Sequence, residues 1–209
     1  MLQHIAKVAS TCFFHLRRLR RLRRVLDLQN RKQLVCAFVL TRIDYCNAVL
    51  ANLPDSALAP LQRVLHAAAR FVADLGPRDH VSMKIIMKLV SLHWLPIRQR
   101  ITYKLCTMMH SVFYGLAPLF IYITLLLQLH NSRAVLTYDQ RKMDYNTLRV
   151  LSSFGQRSFL VSGPDAWNRV SRELRGIAIA STFKRHLKAE HFSRAYGVSL
   201  ADSSVNVYS

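Results

Sequence analysis

Between Leu105 and Ser132 the chain carries no Asp, Glu, Lys or Arg. A run of that length has to leave water, and it exceeds the ~20 residues that span a bilayer, so its sequence allows either a membrane helix or a buried core. Gly115 and Pro118 divide the run, and His110, Ser111, Gln128 and His130 lie inside it. What remains, Leu119 to Leu129, is too short to cross a membrane alone. Two buried helices meeting at a turn near Gly115 are expected, with membrane association through Leu105–Leu129 as an alternative.

Immediately upstream stand Leu92-His93-Trp94-Leu95-Pro96. Trp94 offers a large area to bury, and Pro96 interrupts one helix and resets the backbone for another, so a packed corner is expected here. Met83 to Leu95 is mostly apolar, with Lys84 and Lys88 marking a wet side. After Pro96 the spacing of Ile97, Ile101, Leu105, Met108 and Val112 predicts a helix whose first turns carry Arg98, Arg100 and Lys104 as a basic patch.

The N-terminal third has a different pattern. From Phe13 to Leu28, leucines at 16, 19, 22 and 26 alternate with Arg17, Arg18, Arg20, Arg21, Arg23 and Arg24, which predicts a basic amphipathic helix. Leu34 to Val39 and Ile43 to Leu53 read as a helix pair or one bent helix. Within it, Asp44 cannot meet Arg42 across a helix face and must cap or reach elsewhere. A further helix is expected from Pro60 to Leu75, with Leu61, Leu65, Ala68 and Val72 inside and Arg63 and Arg70 together on another face.

Asn131 to Asn146 is polar and mixed, a linker or surface loop by composition. Beyond it a helix is expected to start at Pro164 and carry Trp167. A last helix from Ser181 to Tyr196 would turn Phe183, Leu187 and Phe192 inward and Lys184, Arg185, Lys188 and Arg194 outward. The fold class expected is all-α (mainly α): an irregular multi-helix bundle with a looser C-terminal lobe and little or no β. Its divisions would be 1–130, a linker 131–146, a small helical lobe 147–196 and a disordered tail 197–209.

Charge decides the class of partner. Lys and Arg number 30 against 11 Asp and Glu, a formal net charge of +19 in 209 residues. Such a chain attracts polyanions, so nucleic acid is the expected partner and an anionic membrane surface the second, with a solvated basic surface as the alternative. Cys12, Cys36, Cys46 and Cys106 have apolar or aromatic neighbours and no ligand spacing, which suits buried reduced thiols and no metal. No apolar leader is evident near Met1, so an intracellular, nuclear or cytoplasmic, home is expected. The acidic residues are scattered, and no nucleophile elbow, zinc motif or glycine-rich phosphate cradle occurs. His93 beside Trp94 has no nucleophile next to it in sequence, so no catalytic residue, cofactor or small-molecule substrate is expected.

Several stretches, taken in order, carry a resemblance. They are His15-Leu16-Arg17-Arg18-Leu19, Arg42-Ile43-Asp44-Tyr45-Cys46-Asn47, Leu61-Gln62-Arg63-Val64 with Ala67-Ala68-Ala69-Arg70, and Gly76-Pro77-Arg78-Asp79-His80-Val81. Leu92 to Leu105, Gly115-Leu116-Ala117-Pro118, Phe154-Gly155 and Arg157-Ser158-Phe159 come next, then Gly163-Pro164-Asp165-Ala166-Trp167-Asn168 and Phe183-Lys184-Arg185-His186-Leu187-Lys188. Together they resemble the C-terminal portion of the reverse-transcriptase polyprotein of non-LTR retrotransposons (LINE elements) of the CR1/L2 kind.

The resemblance implies a region at or after the polymerase thumb that grips template RNA and the RNA–cDNA hybrid, with the polymerase palm as its natural protein partner. The family's Tyr/Phe-Ala-Asp-Asp motif and its endonuclease are not in this sequence, so the resemblance implies a non-catalytic fragment. Met83 to Ser91 exceeds the family pattern by about one helical turn, Ser171 replaces a usual proline, and Phe120 to Asn146 matches poorly. A decayed, non-functional copy is therefore the alternative. Under the first expectation Arg17, Arg18, Arg20, Arg21, Arg23, Arg24, Arg63, Arg70, Arg98, Arg100 and Lys104 contact phosphate.

Overall fold

The computed structural model describes residues 1–75, 83–118, 138–139, 144–145, 150, 152 and 154–197. The described chain is mainly helical. It divides into two compact units: Met1–Asn47 with Leu53–Arg100, and Ala48–Asn52 with Ile101–Ser209. The division at Arg100 falls inside one long helix, Ile97–Phe113.

In the first unit, α1 runs Leu2–Arg21. Ile5, Ala9, Cys12, Leu16 and Leu19 recur at alternating spacings of four and three and form its buried stripe, which packs on α4 (Asp55–Val72). The helix therefore starts more than two turns before the leucine pattern and stops well before Leu28. Leu22, although in register with that pattern, is 53% exposed. The next helix sets the stop: the Asp27 carboxylate accepts a bond from Asn30 N at 2.7 Å and caps α2 (Leu28–Val35).

A π-helical turn, Cys36–Leu40, joins α2 to α3 (Thr41–Asp44) without a break, so this region is one bent helix. A short 3-10 turn, Asn47–Leu50, comes after it. The expected inner face of α4 is buried at Leu61, Leu65, Ala68 and Val72. Its start is corrected: α4 begins at Asp55, and Pro60 lies inside it. A proline there forfeits only one bond, to the carbonyl of Ser56 in the first turn.

Three helices end in the same way. At the end of α4, Leu75 N donates to Arg70 O at 3.0 Å and Asp74 N to Phe71 O at 3.4 Å, with Asp74 at φ 61°. At the end of α5 (Met83–Ser91), Trp94 N donates to Leu89 O and His93 N to Val90 O, with His93 at φ 54°. At the end of α6 (Ile97–Phe113), Leu116 N donates to Ser111 O and Gly115 N to Val112 O, with Gly115 at φ 70°. Each is a Schellman cap, in which a left-handed residue satisfies two orphan carbonyls. The middle one makes the expected corner: Trp94 and Leu89 are both buried, which supplies the hydrophobic contact that accompanies the motif.

In the second unit, β1 (Tyr138–Asp139) and β2 (Asp144–Tyr145) pair antiparallel within the stretch expected to be a loop. Among the described residues three α-helices follow: α7 (Phe159–Asn168), α8 (Arg172–Arg175) and α9 (Ala180–Tyr196). α7 starts five residues before Pro164, which again sits inside rather than at the first position. Phe183, Leu187 and Phe192 are fully buried, as their spacing predicts, and so is Trp167. Asn168 matches the backbone of β2, its Nδ2 donating to Tyr145 O at 2.7 Å and its Oδ1 accepting from Tyr145 N at 3.0 Å. A Cβ on Gly163 would come within 2.9 Å of Met109 Sδ, so a glycine is what lets α7 approach α6. The turn expected near Gly115 is present; the second half of the uncharged run and the tail from 198 lie outside the described residues.

Candidate nucleic-acid interface

The last two turns of α1 present Arg17, Arg18, Arg20 and Arg21, all exposed, opposite the stripe ending in Leu16 and Leu19. None of the four forms an ion pair with a described carboxylate, and α1 contains no acidic residue. Their guanidinium forks are therefore available to phosphate oxygens. Cations at a helix C-terminus also complement its dipole, a structural benefit that needs no ligand. Arg24 is exposed in the turn beyond.

The structure separates the other sequence-derived candidates from this row. Arg23 is bound to Asp74, donating from Nε to the carboxylate and from Nη2 to the Asp74 carbonyl at 2.6 Å. Arg31 joins the same carboxylate at 3.3 Å and donates to the carbonyls of Leu26 and Arg23. The turn after α1 is thus tied to the left-handed cap of α4. Arg98 reaches Asp55 and Leu53 O at 2.8 Å, and Arg100 reaches Asp44 at 2.6 Å and Leu95 O at 2.8 Å. Asp44 does reach elsewhere, as its spacing from Arg42 requires. With few carboxylates in so basic a chain, these arginines hold the Trp94 corner together.

The corner has one further clamp. Gln62 Oε1 accepts from Ile97 N at 3.0 Å, and Gln62 Nε2 lies 2.8 Å from the His66 ring. Burial, then the Arg70 charge, lowers the His66 pKa, so the ring is neutral at pH 7. Arg63 is exposed and shares a cleft with Arg98; Arg70 is half-buried. Lys104 is exposed and belongs to the second unit.

Aromatic residues on the α1 surface were not among the sequence-derived candidates. Phe14 is 48% exposed, on the arginine side of α1, and the Arg18 guanidinium lies over its ring at 5.6 Å. Phe14 meets His15 edge-on at 5.6 Å, and His15 stacks on Phe38 at 5.5 Å; Phe38 is 40% exposed. Burial first, then the charges of Arg42 and Arg18, lowers the His15 pKa, so this ring is also neutral at pH 7. Next to the stack, between α1 and the bent helix, lies a cavity of about 610 Å³ lined by His4, Lys7, Val8, Thr11, Ala37, Thr41, Arg42 and Tyr45. No carboxylate lines it, and Tyr45 at its end is 75% exposed. The signal for Phe14 was in the sequence: extending the helix back to Leu2 places it one turn before Arg18 and off the apolar stripe.

Two cysteines behave as expected and two do not. Cys12 and Cys106 are fully buried, and burial pushes their thiols up to about 11 and about 12, which makes them inert. Cys36 and Cys46 are exposed, because they sit on the outer side of the bent helix and in the turn that ends it. Among the described residues no three His, Cys, Asp or Glu side chains gather as a metal site would. Among them, too, no helix is long and apolar enough to cross a membrane.

In the second unit two buried polar groups serve the core. His110 is buried, stacks on Phe183 at 4.2 Å and pairs with Ile177 O at 2.8 Å. Arg175 is buried against Asp144, and its carbonyl accepts from Tyr114 Oη at 2.8 Å. Compared with protein-family models, with curated proteins and with solved structures, the chain matches none.

Proposed function

We propose that the chain is a non-catalytic, nucleic-acid-binding helical segment that holds RNA or an RNA–DNA hybrid by its phosphate backbone, as the region beyond the palm of a LINE-type reverse transcriptase would. The observation that supports it best is the row of Arg17, Arg18, Arg20 and Arg21, exposed and without a described carboxylate partner, in a chain of net charge +19. The resemblance at Leu92–Leu105 and around Trp167 accounts for the choice of nucleic acid. Phosphate contacts position a duplex without reading its sequence, so binding is sequence-tolerant.

The test is the salt dependence of binding to a short RNA–DNA hybrid. Affinity is expected to fall steeply with salt. Changing the four arginines to Ala is expected to flatten the slope of log K against log salt by about three to four, since each released phosphate contact contributes about 0.7 to 0.9. Arg23→Ala alone leaves the slope unchanged, because that side chain is bound to Asp74. Affinity that is absent or indifferent to salt disproves the proposal.

A second reading, a residual fragment with no function of its own, draws on exposed apolar side chains such as Met87, Ile86, Phe154 and Ile179. It requires that the purified chain aggregate rather than melt cooperatively, since uncovered apolar surface associates.

A further inference from the structure

We infer that the groove between α1 and the bent helix that succeeds it, together with the Phe14, His15 and Phe38 rings at its end, is a stacking site for the unpaired bases of single-stranded RNA or DNA. The inference rests on the proposed nucleic-acid binding and narrows it, from backbone of any form to single strands held by their bases.

The geometry supplies both halves of such a site. Three aromatic rings, Phe14, Phe38 and Tyr45, are 40% to 75% exposed on a surface where burial of aromatic area is normally favoured. Phe14 and Phe38 flank the neutral His15 ring, which lies edge-on to one and stacks on the other, so planar groups already pack together there. Thr11, one turn before His15, and Ala37, beside Phe38, line the cavity that leads away from this cluster, and Tyr45 lies at the opposite end.

Lys7 and Arg42 line that path and Arg18 stands at its aromatic end, with no carboxylate among the lining residues. Rings for bases and cations for the backbone, without an opposing charge, are the combination by which single strands are held without sequence choice. A peptide partner of ordinary composition would have no use for this uniform cationic rim. From His4 to Phe14 the helix advances about 15 Å, room for about four nucleotides at the stacked rise of about 3.4 Å. A duplex keeps its bases stacked on one another and offers the rings nothing.

The experiment titrates the full chain, at one moderate salt concentration, against three probes: a labelled ten-nucleotide oligouridylate, the same strand without bases and so of equal phosphate number, and a mixed-sequence RNA–DNA hybrid long enough to stay paired. The wild-type chain is expected to bind the oligouridylate at least about fivefold more tightly than the abasic strand, the advantage of stacking a single base. In Phe38→Leu/Tyr45→Leu, which leaves the Phe14 ring under Arg18 in place, that advantage is expected to fall at least about twofold while hybrid affinity stays unchanged. The exchanged side chains are exposed, and an unaltered thermal melt verifies the fold. Equal binding of the two single strands by the wild-type chain overturns the inference and leaves the backbone reading standing. So does displacement of the oligouridylate by an acidic peptide as readily as by a nucleic acid of equal charge. Failure of all three probes to bind overturns both.

Discussion

At the scale of single residues, His191 shows how burial in the second unit converts into a pH response. The side chain is buried on α9, and burial first, then the charge of Arg194, lowers its pKa from 6.5 to about 4. The unfolded chain then binds a proton that the folded chain refuses, so the contribution of this histidine is full above about pH 6.5 and is lost as pH falls toward 4. The difference amounts to about 3 kcal/mol at most. His66 and His110 are lowered for the same first reason and add to the trend. Urea midpoints at pH 7 and pH 4 are expected to differ less in His191→Gln than in the wild-type chain; equal shifts would remove His191 as a cause. Little of this was legible beforehand, because a histidine's burial depends on which helix packs over it, and spacing along the chain gives only its place on its own helix.

At the scale of elements, the caps matter more than the helices they close. Asp74, His93 and Gly115 hold the same left-handed position in three successive helices, and only one of them is a glycine. The backbone strain differs accordingly. Gly115→Ala is expected to cost about 1 kcal/mol, because alanine resists positive φ. His93→Asn is expected to be nearly neutral, since asparagine tolerates this region, while His93→Val costs about 1–2 kcal/mol. Urea unfolding followed by tryptophan fluorescence reads all three, and equal costs for Asn and Val would show that backbone conformation is not what His93 supplies. The sequence made the inner faces plain: Leu16, Leu19, Leu61, Leu65, Phe183 and Leu187 all lie where their spacing put them. It misplaced helix starts because Pro60 and Pro164 look like first-turn residues, yet each sits at the sixth position, where the carbonyl it leaves unbonded still belongs to the first turn. It also carried the leucine pattern through Leu22 and Leu26, since periodicity cannot register that Asp27 starts a new helix.

For the whole molecule, the excess of positive charge acts on folding and on binding with opposite signs. A net charge of +19 repels itself in the compact state more than in the expanded one. Four of the described carboxylates are spent internally: Asp44, Asp55 and Asp74 hold arginines of the first unit, and Asp144 holds Arg175 in the second. That leaves the α1 arginines facing outward, as their place off the leucine stripe predicts, while the carboxylate partners of Arg23, Arg98 and Arg100 required the structure. Raising salt from about 0.1 M to about 1 M shortens the screening length from about 10 Å to about 3 Å. In the free chain this relieves repulsion, so the melting temperature is expected to rise. With a saturating short RNA–DNA hybrid the proposed binding is expected to raise the starting melting temperature, because a ligand that binds only the folded state stabilises it. There, the same salt releases the ligand, and the melting temperature is expected to fall toward that of the free chain. Differential scanning of both samples across the salt series checks the pair of signs; two curves that rise together would mean that the positive surface serves no polyanion.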